Sequence, residues 1–504
     1  MLNDRLAGHD GALFRAAYPS DEAELRQARR DLVALRPKRP PKNSGLPGAI
    51  IEAGFSWTLT QWLCERFPRS IEIAWDDDGS AGDPFESMLE RLAQPIERDS
   101  LLDDTISTQE WCERLHGDAT TSLRWLCRRI ASLQLSTEVA DALFERLDLY
   151  CRWALTEPGF SRTELRFPPR DPYFHHGDLQ RQVDLPAIVQ QPLAATRRLN
   201  AEQARTLIET ARLSLAVRGR ETDPITYAQP ETVRLYSLDH GIDIALFSLP
   251  PAQRLPLDAY VGFMAARNAV PLAYGGAWLF FDRAEVGINI FPEFRGGESA
   301  FLLAQVLRTY RQACGAERFF VDPYQFGRGN TEAIKSGAFW FYYKLGFRPV
   351  DPDLRIDAQR EKKRLTSHAG ARTPAKLLRR FAADQLTWSL TTTSGSQPSP
   401  HPEQVSRHAA RWIADHHGGD ATRARAAASE QIAAFLDVAP SGRWFQQLAL
   451  SIASLPDLKQ WSAKDRRAAA AVLTAKDHPA EWDYIAALQR ATRLKAAWAA
   501  LAPN

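Results

Sequence analysis

The chain is organised around one junction, in which Ala284-Glu-Val-Gly-Ile-Asn-Ile-Phe291 is followed directly by Pro292-Glu-Phe-Arg-Gly-Gly-Glu-Ser-Ala300. Its first part is rich in β-branched residues and predicts a strand, and Phe301-Leu-Leu-Ala-Gln-Val-Leu-Arg-Thr-Tyr310 behind it predicts a helix. Glycines at the turn let the backbone approach a ligand, and the first N–H groups of a helix have no partner inside it. The junction therefore predicts a site for phosphate or pyrophosphate.

The sequence around this junction predicts one domain in which strands and helices are mixed. Upstream of the junction the apolar period changes from helical to alternating, which predicts two hairpins. Downstream, a helix ends at Gly346, a residue that commonly terminates helices. The predicted elements are hairpins at 232–249 and 260–281, strands at 284–291, 317–321 and 347–350, and helices at 298–313 and 332–345.

Both flanks of this domain are predicted to be mainly helical. Residues 1–190 predict helices at 56–67, 84–94, 107–116, 119–133 and 137–155, and a short strand at 70–75. The last helix of the chain places Tyr484, Leu488, Ala491, Leu494, Trp498 and Leu501 on one face, as either core or a partner-helix surface. The domains expected are 1–190 (mainly helical), 195–365 (central), 366–400 (a helix and a Ser/Thr/Pro-rich linker) and 401–504 (Ala-rich helical).

Composition excludes several classes of protein. The chain has 504 residues, an apolar fraction of 44% and a formal net charge of +2, so no global positive field favours nucleic acid. Its five cysteines are scattered and form no CxxC pair, which predicts reduced thiols in a cytoplasmic protein and no metal site. The start Met1-Leu-Asn-Asp-Arg5 has no apolar segment, so no signal peptide is expected. The most apolar run, Tyr260 to Phe281, carries Arg267 and Asn268 at its centre, so no membrane span is expected.

Two motifs resemble those of the GCN5-related N-acetyltransferase (GNAT) superfamily. Asn289-Ile-Phe-Pro-Glu-Phe-Arg-Gly-Gly-Glu-Ser-Ala300 is similar to the loop with which that family holds the pyrophosphate of acyl-CoA. Ala338-Phe-Trp-Phe-Tyr-Tyr-Lys-Leu-Gly-Phe347 is similar to its A-x-x-x-Y-x-K-x-G-F element, the more specific of the two. The resemblance covers about a quarter of the chain. It implies an α/β fold with a GNAT-like mixed, mostly antiparallel sheet.

The resemblance implies an acyl-CoA-dependent N-acyltransferase in which an amine attacks the thioester directly. Tyr342 would protonate the departing thiolate, and Glu285 or Glu332 would take the proton of the amine. A backbone N–H near Ile290 or Phe291 would stabilise the oxyanion. The residues expected to hold acetyl-CoA or another acyl-CoA are Ile290, Phe291, Arg295, Gly296, Gly297, Ser299, Ala300 and Asn330.

The chain departs from the family pattern at two positions. Glu298 stands where the family prefers glycine, and Lys335 stands where it usually has an asparagine, with Asn330 five residues earlier. These departures motivate an alternative, a binding or scaffold protein on a GNAT-like domain that has lost CoA. The expected partners are a small-molecule or protein amine, no membrane, and a second copy of the chain through the helical flanks. A tRNA-dependent transferase is a third hypothesis, which the near-neutral charge disfavours.

Overall fold

The computed structural model describes residues 8–102, 106–194, 196–368, 370–390, 399–440 and 442–501. The chain divides into two compact units. The first comprises the described parts of Met1–His175, Glu202–Tyr227 and Arg267–Pro271, and the second those of His176–Ala201, Ala228–Ala266 and Leu272–Asn504. The described residues after 401, which the sequence places in a separate helical segment, thus belong to the unit that carries the central motifs.

The first unit contains a small antiparallel sheet among helices. Its strands are β1 (Ile50–Ala53), β2 (Ile71–Ile73) and β3 (Cys151–Ala154), in the order β1-β3-β2. Its helices are α1 (Gly8–Ala17), α2 (Glu22–Ala34), α3 (Trp57–Arg66), α4 (Asp83–Leu92), α5 (Thr108–His116), α6 (Ser122–Ser132), α7 (Thr137–Arg146), α9 (Ala201–Ala216) and α10 (Asp223–Thr226). The predicted helices that become α3 to α6 and the predicted strand β2 are confirmed.

The helix predicted over 137–155 is wrong in its second half. Helix α7 ends at Arg146, Asp148 takes a left-handed backbone with φ 51°, and Cys151–Ala154 form the central strand of the small sheet. Val139 in the first turn of α7 is 51% exposed, whereas Leu147, just after the helix, is buried in the core. In β3 the burial alternates, and Cys151 and Trp153 lie in the core. An alternation over only four residues does not predict a strand.

The second unit is built on an eight-stranded sheet. Its strands are β4 (Val233–Ser237), β5 (Ile242–Phe247), β6 (Ala259–Arg267), β7 (Val270–Phe280), β8 (Arg283–Ile290), β9 (Arg318–Val321), β10 (Arg348–Pro349) and β11 (Leu386–Ser389). Their order is β10-β11-β9-β8-β7-β6-β5-β4. Both predicted hairpins and the predicted strands at 284–291, 317–321 and 347–350 are confirmed.

Strand β11 was not predicted from the sequence. It inserts between β9 and β10 and runs antiparallel to both, with Leu386 opposite Val321 and Thr387 opposite Arg348. The strand has four residues, of which Leu386 and Trp388 are buried. An alternating pattern of that length does not predict a strand next to a longer helical pattern. Most of the predicted Ser/Thr/Pro-rich linker, residues 391–398, lies outside the described residues.

The helices of the second unit are α8 (Leu185–Gln190), α11 (Ser299–Cys314), α12 (Thr331–Ser336), α13 (Ala338–Lys344), α14 (Pro352–Ser367), α15 (Ala375–Phe381), α16 (Pro402–His417), α17 (Ala421–Leu436), α18 (Arg443–Ala453), α19 (Ala463–Ala475), α20 (Trp482–Arg490) and α21 (Thr492–Ala499). The predicted helix 298–313 is confirmed as α11. The predicted helix 332–345 is divided at Gly337, whose φ of 68° ends α12. The predicted final helix is divided at Ala491, although its apolar face is buried as core from Tyr484 to Trp498.

Two glycines in β7 let the strands at the centre of this sheet approach closely. A Cβ at Gly276 would lie 2.6 Å from Cε2 of Tyr260, and one at Gly275 would collide with the carbonyl oxygen of Gly287. In the register of β7 and β8, Gly276 lies opposite Gly287 and Trp278 lies opposite Glu285. The sheet therefore has little side-chain bulk near Gly287, where the candidate site begins.

Candidate active site

The strands β8 and β9 separate partway along their length. They pair in parallel over three positions, ending at Glu285 opposite Phe320, while β8 continues to Ile290. Hydrogen bonding alternates along a strand, and Phe291 N–H donates to the Leu272 carbonyl at 3.0 Å. The N–H of Ile290 therefore points to the other edge, away from β7. Of the two expected oxyanion donors, Phe291 is engaged within the sheet and Ile290 faces the gap beyond the last β8–β9 pair.

In the glycine turn between β8 and α11, some backbone N–H groups form hydrogen bonds within the protein and others remain available to a ligand. The N–H of Arg295 donates to Pro292 O at 3.3 Å, and that of Gly297 donates to Phe294 O at 3.1 Å. Among the described residues, the N–H groups of Gly296, Ser299 and Ala300 have no hydrogen-bond acceptor. Gly296 has φ 85°, a conformation that favours glycine. Of the five residues of the turn expected to hold the cofactor, three thus have an available N–H group. The five are Arg295, Gly296, Gly297, Ser299 and Ala300.

Glu298 occupies the N-cap position of α11, and its carboxylate faces neither solvent nor an open cleft. The residue is only 2% exposed, and its Oε1 accepts a 2.8 Å hydrogen bond from the backbone N–H of Gln180. A negative charge at a helix N-terminus is stabilised by the helix dipole. This carboxylate therefore has a structural role that joins the segment before α8 to the start of α11.

Glu332 and Arg295 form an ion pair on the surface beside the glycine turn. Arg295 Nη1 lies 2.5 Å from Glu332 Oε1, and the two side chains are 52% and 70% exposed. The Nε of Arg295 also donates to Ile290 O at 3.3 Å. Glu332 thus holds the arginine of the turn, and it does not line the cavity described below.

Tyr342 lies inside an aromatic cluster that includes Phe326 of the loop after β9. It is 4% exposed, and its ring contacts Phe326 and Phe347 at centroid distances of 6.4 Å and 5.8 Å. Burial raises the pKa of its phenol well above the ordinary value of 10.0. The hydroxyl is therefore protonated throughout the neutral range, as a proton donor must be.

Asn330 caps α12. Its Oδ1 accepts from Ala333 N at 3.0 Å, and its Nδ2 donates to Tyr324 O at 3.1 Å. These bonds hold the loop after β9 against the helix start, which is ordinary capping chemistry. The expected role in binding a cofactor stays a prediction.

A cavity of about 590 Å³ lies at the point where β8 and β9 separate. Its volume is within the usual range for small-molecule sites. Its walls come from the start of β6, from β7 and β8, from the loop after β9 and from the start of α16. The lining residues are Asp258, Trp278, Phe280, Arg283, Glu285, Val286, Gly287, Asp322, Tyr324, Gln325, His401, Pro402 and Glu403. Of the three expected catalytic residues, Glu285 alone lines this cavity.

Glu285 is held in place by two donors. Its Oε2 accepts from Arg283 Nη2 at 3.1 Å and from Gln385 Nε2 at 2.7 Å. Arg283 in turn lies over the ring of Phe320, with its Cζ 3.6 Å from the ring centroid. Burial lowers the pKa of the Arg283 guanidinium below 12.5, although it remains charged at neutral pH. The pair gives the cavity wall one fixed carboxylate and one fixed cation.

Asp258 is a second carboxylate of the cavity, and sequence analysis does not single it out. Its Oδ1 is buried and has no hydrogen-bond partner among the described residues. Burial raises its pKa from 3.8 to about 7, against the opposing influence of the nearby Lys476 and Arg283. An aspartate that precedes a strand is common, so only the fold distinguishes this one.

His401 is a third titratable group that the sequence did not single out. It precedes α16, and its Nδ1 accepts from the N–H of Glu403 at 3.3 Å. Burial and then the charge of Arg283 lower its pKa below 6.5, so the ring is neutral at pH 7.

Comparisons with protein-family models, with curated proteins and with solved structures find no match to this chain. In the described parts of the chain, no helix is both long and apolar enough to span a bilayer.

Proposed function

We propose that the second unit is an acyl-CoA-dependent N-acyltransferase, with the donor at the glycine turn and the acceptor amine in the cavity. The observation that carries the proposal is the separation of β8 from β9 after Glu285 and Phe320, with a cavity at that point. The glycine turn follows β8 directly, so available N–H donors and a titratable cavity lie at the two ends of one strand segment. The strand order and the two GNAT-like motifs fit the same function.

The reaction needs a proton acceptor, an oxyanion donor and a proton donor. The neutral amine attacks the thioester carbonyl, the C–N bond forms, and the C–S bond then breaks to release a thiolate. Glu285 is fixed on the cavity wall as an acceptor of the amine proton. The N–H of Ile290, which points away from β7, would donate to the oxyanion. The buried Tyr342 hydroxyl would supply the proton of the thiolate.

The alternative is a scaffold protein that binds no CoA, and Glu298 is the observation that favours it. A buried carboxylate at the N-terminus of α11 already supplies the negative charge that a pyrophosphate would bring. Electrostatic repulsion between the Glu298 carboxylate and the pyrophosphate would then oppose the binding of acyl-CoA. The two functions differ in whether the glycine turn accepts an external anion.

Calorimetric titration with acetyl-CoA and with longer acyl-CoAs distinguishes the two. The transferase requires saturable binding of at least one of them, at one site per chain. Ser299→Pro tests the glycine turn, because the substitution removes one available N–H at the first position of α11, where helices tolerate proline. The variant should remain folded and bind the acyl-CoA more weakly. Absence of binding by every acyl-CoA, in protein shown to be folded, would refute the transferase.

A further inference from the structure

The cavity combines an aromatic wall with an excess of negative charge. Trp278 lies on Tyr260 with parallel rings and a centroid distance of 4.5 Å, and it is still 39% exposed. Opposite Trp278 in the register is Glu285, and residues directly opposite on neighbouring strands place their side chains on the same face. An aromatic face beside a carboxylate is favourable for an organic cation.

The charges on the lining are unequal. The carboxylates are those of Asp258, Glu285, Asp322 and Glu403. Among the described residues, Arg283 supplies the single guanidinium of the lining, and it is paired with Glu285. In the described part of the chain no group of three potential ligands converges to hold a metal ion. The excess charge is therefore suited to an organic cation.

Asp258 is the carboxylate least satisfied by the protein. Glu285 accepts two hydrogen bonds, and Asp322 accepts one from Tyr324 N at 2.8 Å, whereas Oδ1 of Asp258 is buried without a partner in the described residues. A buried acceptor that lacks a donor costs free energy, which a bound ammonium group would recover. Asp258 directly precedes β6, so the strand fixes the position of its backbone.

We propose that this cavity binds an aliphatic amine with at least two ammonium groups, one of them at Asp258 and beside the ring of Trp278. Arg283 pairs with Glu285, and Arg407 lies 3.4 Å from Glu403, so the carboxylates of Asp258 and Asp322 remain. Two ammonium groups match these two charges, so a diamine is favoured over a monoamine. That the bound amine is the acceptor of an acyl group rests on the proposed function; its binding does not.

Asp258 is also suited to take the proton of the bound amine. An ammonium cannot attack a thioester, because its lone pair is occupied by the proton. Transfer of that proton to the carboxylate leaves a neutral amine and a neutral carboxylic acid, with no other reactant consumed. A pKa of about 7 makes Asp258 a stronger base than an ordinary aspartate.

Calorimetry without acyl-CoA tests the inference on the full chain. The probes are 1,4-diaminobutane and 1,6-diaminohexane, with 1,4-butanediol and 1,6-hexanediol as uncharged controls of equal length. At least one diamine should bind at least tenfold more tightly than its diol. Asp258→Asn should weaken that binding about tenfold, a loss typical of a charged hydrogen bond. Asp415→Asn, on the exposed face of α16, should have no effect.

The pH dependence separates a direct contact from a structural effect. The groups that act on Asp258 are Lys476, Arg283, Glu285 and Glu481, with His401 and Glu403 on the same cavity. The pKa of His401 lies below 6.5, so its ring is mainly neutral above that pH. Between pH 6.5 and pH 8 the charge of the cavity therefore changes mainly through the titration of Asp258. Diamine affinity should rise severalfold over this range and be flat in Asp258→Asn.

Two results would overturn the inference: equal affinities for diamine and diol, or a folded Asp258→Asn variant that binds like the wild type. Its failure is distinguishable from failure of the proposed function. Binding of a diamine by a chain that binds no acyl-CoA keeps the cation site and refutes the transferase. Binding of acyl-CoA without binding of either diamine keeps the transferase and refutes the cation site.

Discussion

The ammonium of Lys476 donates a 2.9 Å hydrogen bond to the backbone carbonyl of Asp258 and a 2.7 Å hydrogen bond to Glu481 Oε1. Both side chains of the ion pair are fully buried, and Arg254 donates to the carbonyl oxygens of Lys476 and Pro479. The helices after residue 401 thus support the strand that carries Asp258, while His401 and Glu403 line the same cavity. The Ala-rich segment is part of the site's framework.

Lys476→Met should lower the free energy of unfolding by about 3–5 kcal/mol, because it leaves the buried carboxylate of Glu481 without its counter-ion. Urea denaturation followed by tryptophan fluorescence measures the change. The double variant Lys476→Met/Glu481→Leu is the matched control, since it removes both charges and should recover part of the loss. Equal stabilities of the single and double variants would show that the pairing is not what matters.

Tyr342→Phe should leave the affinity for acyl-CoA unchanged and lower kcat by about 10²-fold, the usual size of a general-acid contribution. The ring contacts with Phe326 and Phe347 remain, so the packing is preserved. Tyr343→Phe is the control in the same helix, because Tyr343 is equally buried but stands outside the matching motif position. A similar loss in both variants would assign the effect to packing.

Glu298→Gln should change the affinity for acyl-CoA by less than about threefold if the carboxylate serves only to bind Gln180. The amide keeps an oxygen that can accept the Gln180 N–H, so the fold should persist. Calorimetry on both proteins makes the comparison. A gain of tenfold or more, or binding that appears only in the variant, would show that Glu298 blocks the anion site and would favour the scaffold.

Asp258→Asn should stabilise the fold above pH 7 and have little effect near pH 4. Burial raises the pKa of Asp258 from 3.8 to about 7, so the folded state binds a proton that the unfolded chain has already lost between these values. The wild type therefore loses stability as pH rises through this window, by at most about 4 kcal/mol. Denaturation at several pH values should show the variant's advantage growing from pH 4 to pH 7. A constant difference would contradict the assignment.

The sequence predicts the strands and the glycine turn of the second unit because its apolar patterns are long and regular there. It places Glu285 on β8 correctly, but it does not reveal Asp258 or His401 as neighbours of that residue. Those neighbours are brought together by strand order and by helices more than a hundred residues away, which leave no local signal. Asp258 in particular precedes an ordinary strand.

Local patterning fails at the short elements for a related reason. The four-residue strands β3 and β11 have little intrinsic preference, and their pairing with distant strands determines their conformation. Gly337 ends α12 with the left-handed backbone that glycine adopts readily, a local signal that apolar residues on both sides conceal. The break at Ala491 has no such residue.

Acetyl transfer to a diamine distinguishes an acyltransferase from a protein that only binds the two compounds. The protein is incubated with acetyl-CoA and 1,4-diaminobutane, the free thiol is titrated, and the amine is analysed by mass spectrometry. We expect an N-acetylated diamine in equal amount to the released CoA thiol, and formation of both about 10²-fold more slowly in Tyr342→Phe. Release of no thiol and formation of no product, by folded protein that binds both compounds, would contradict it.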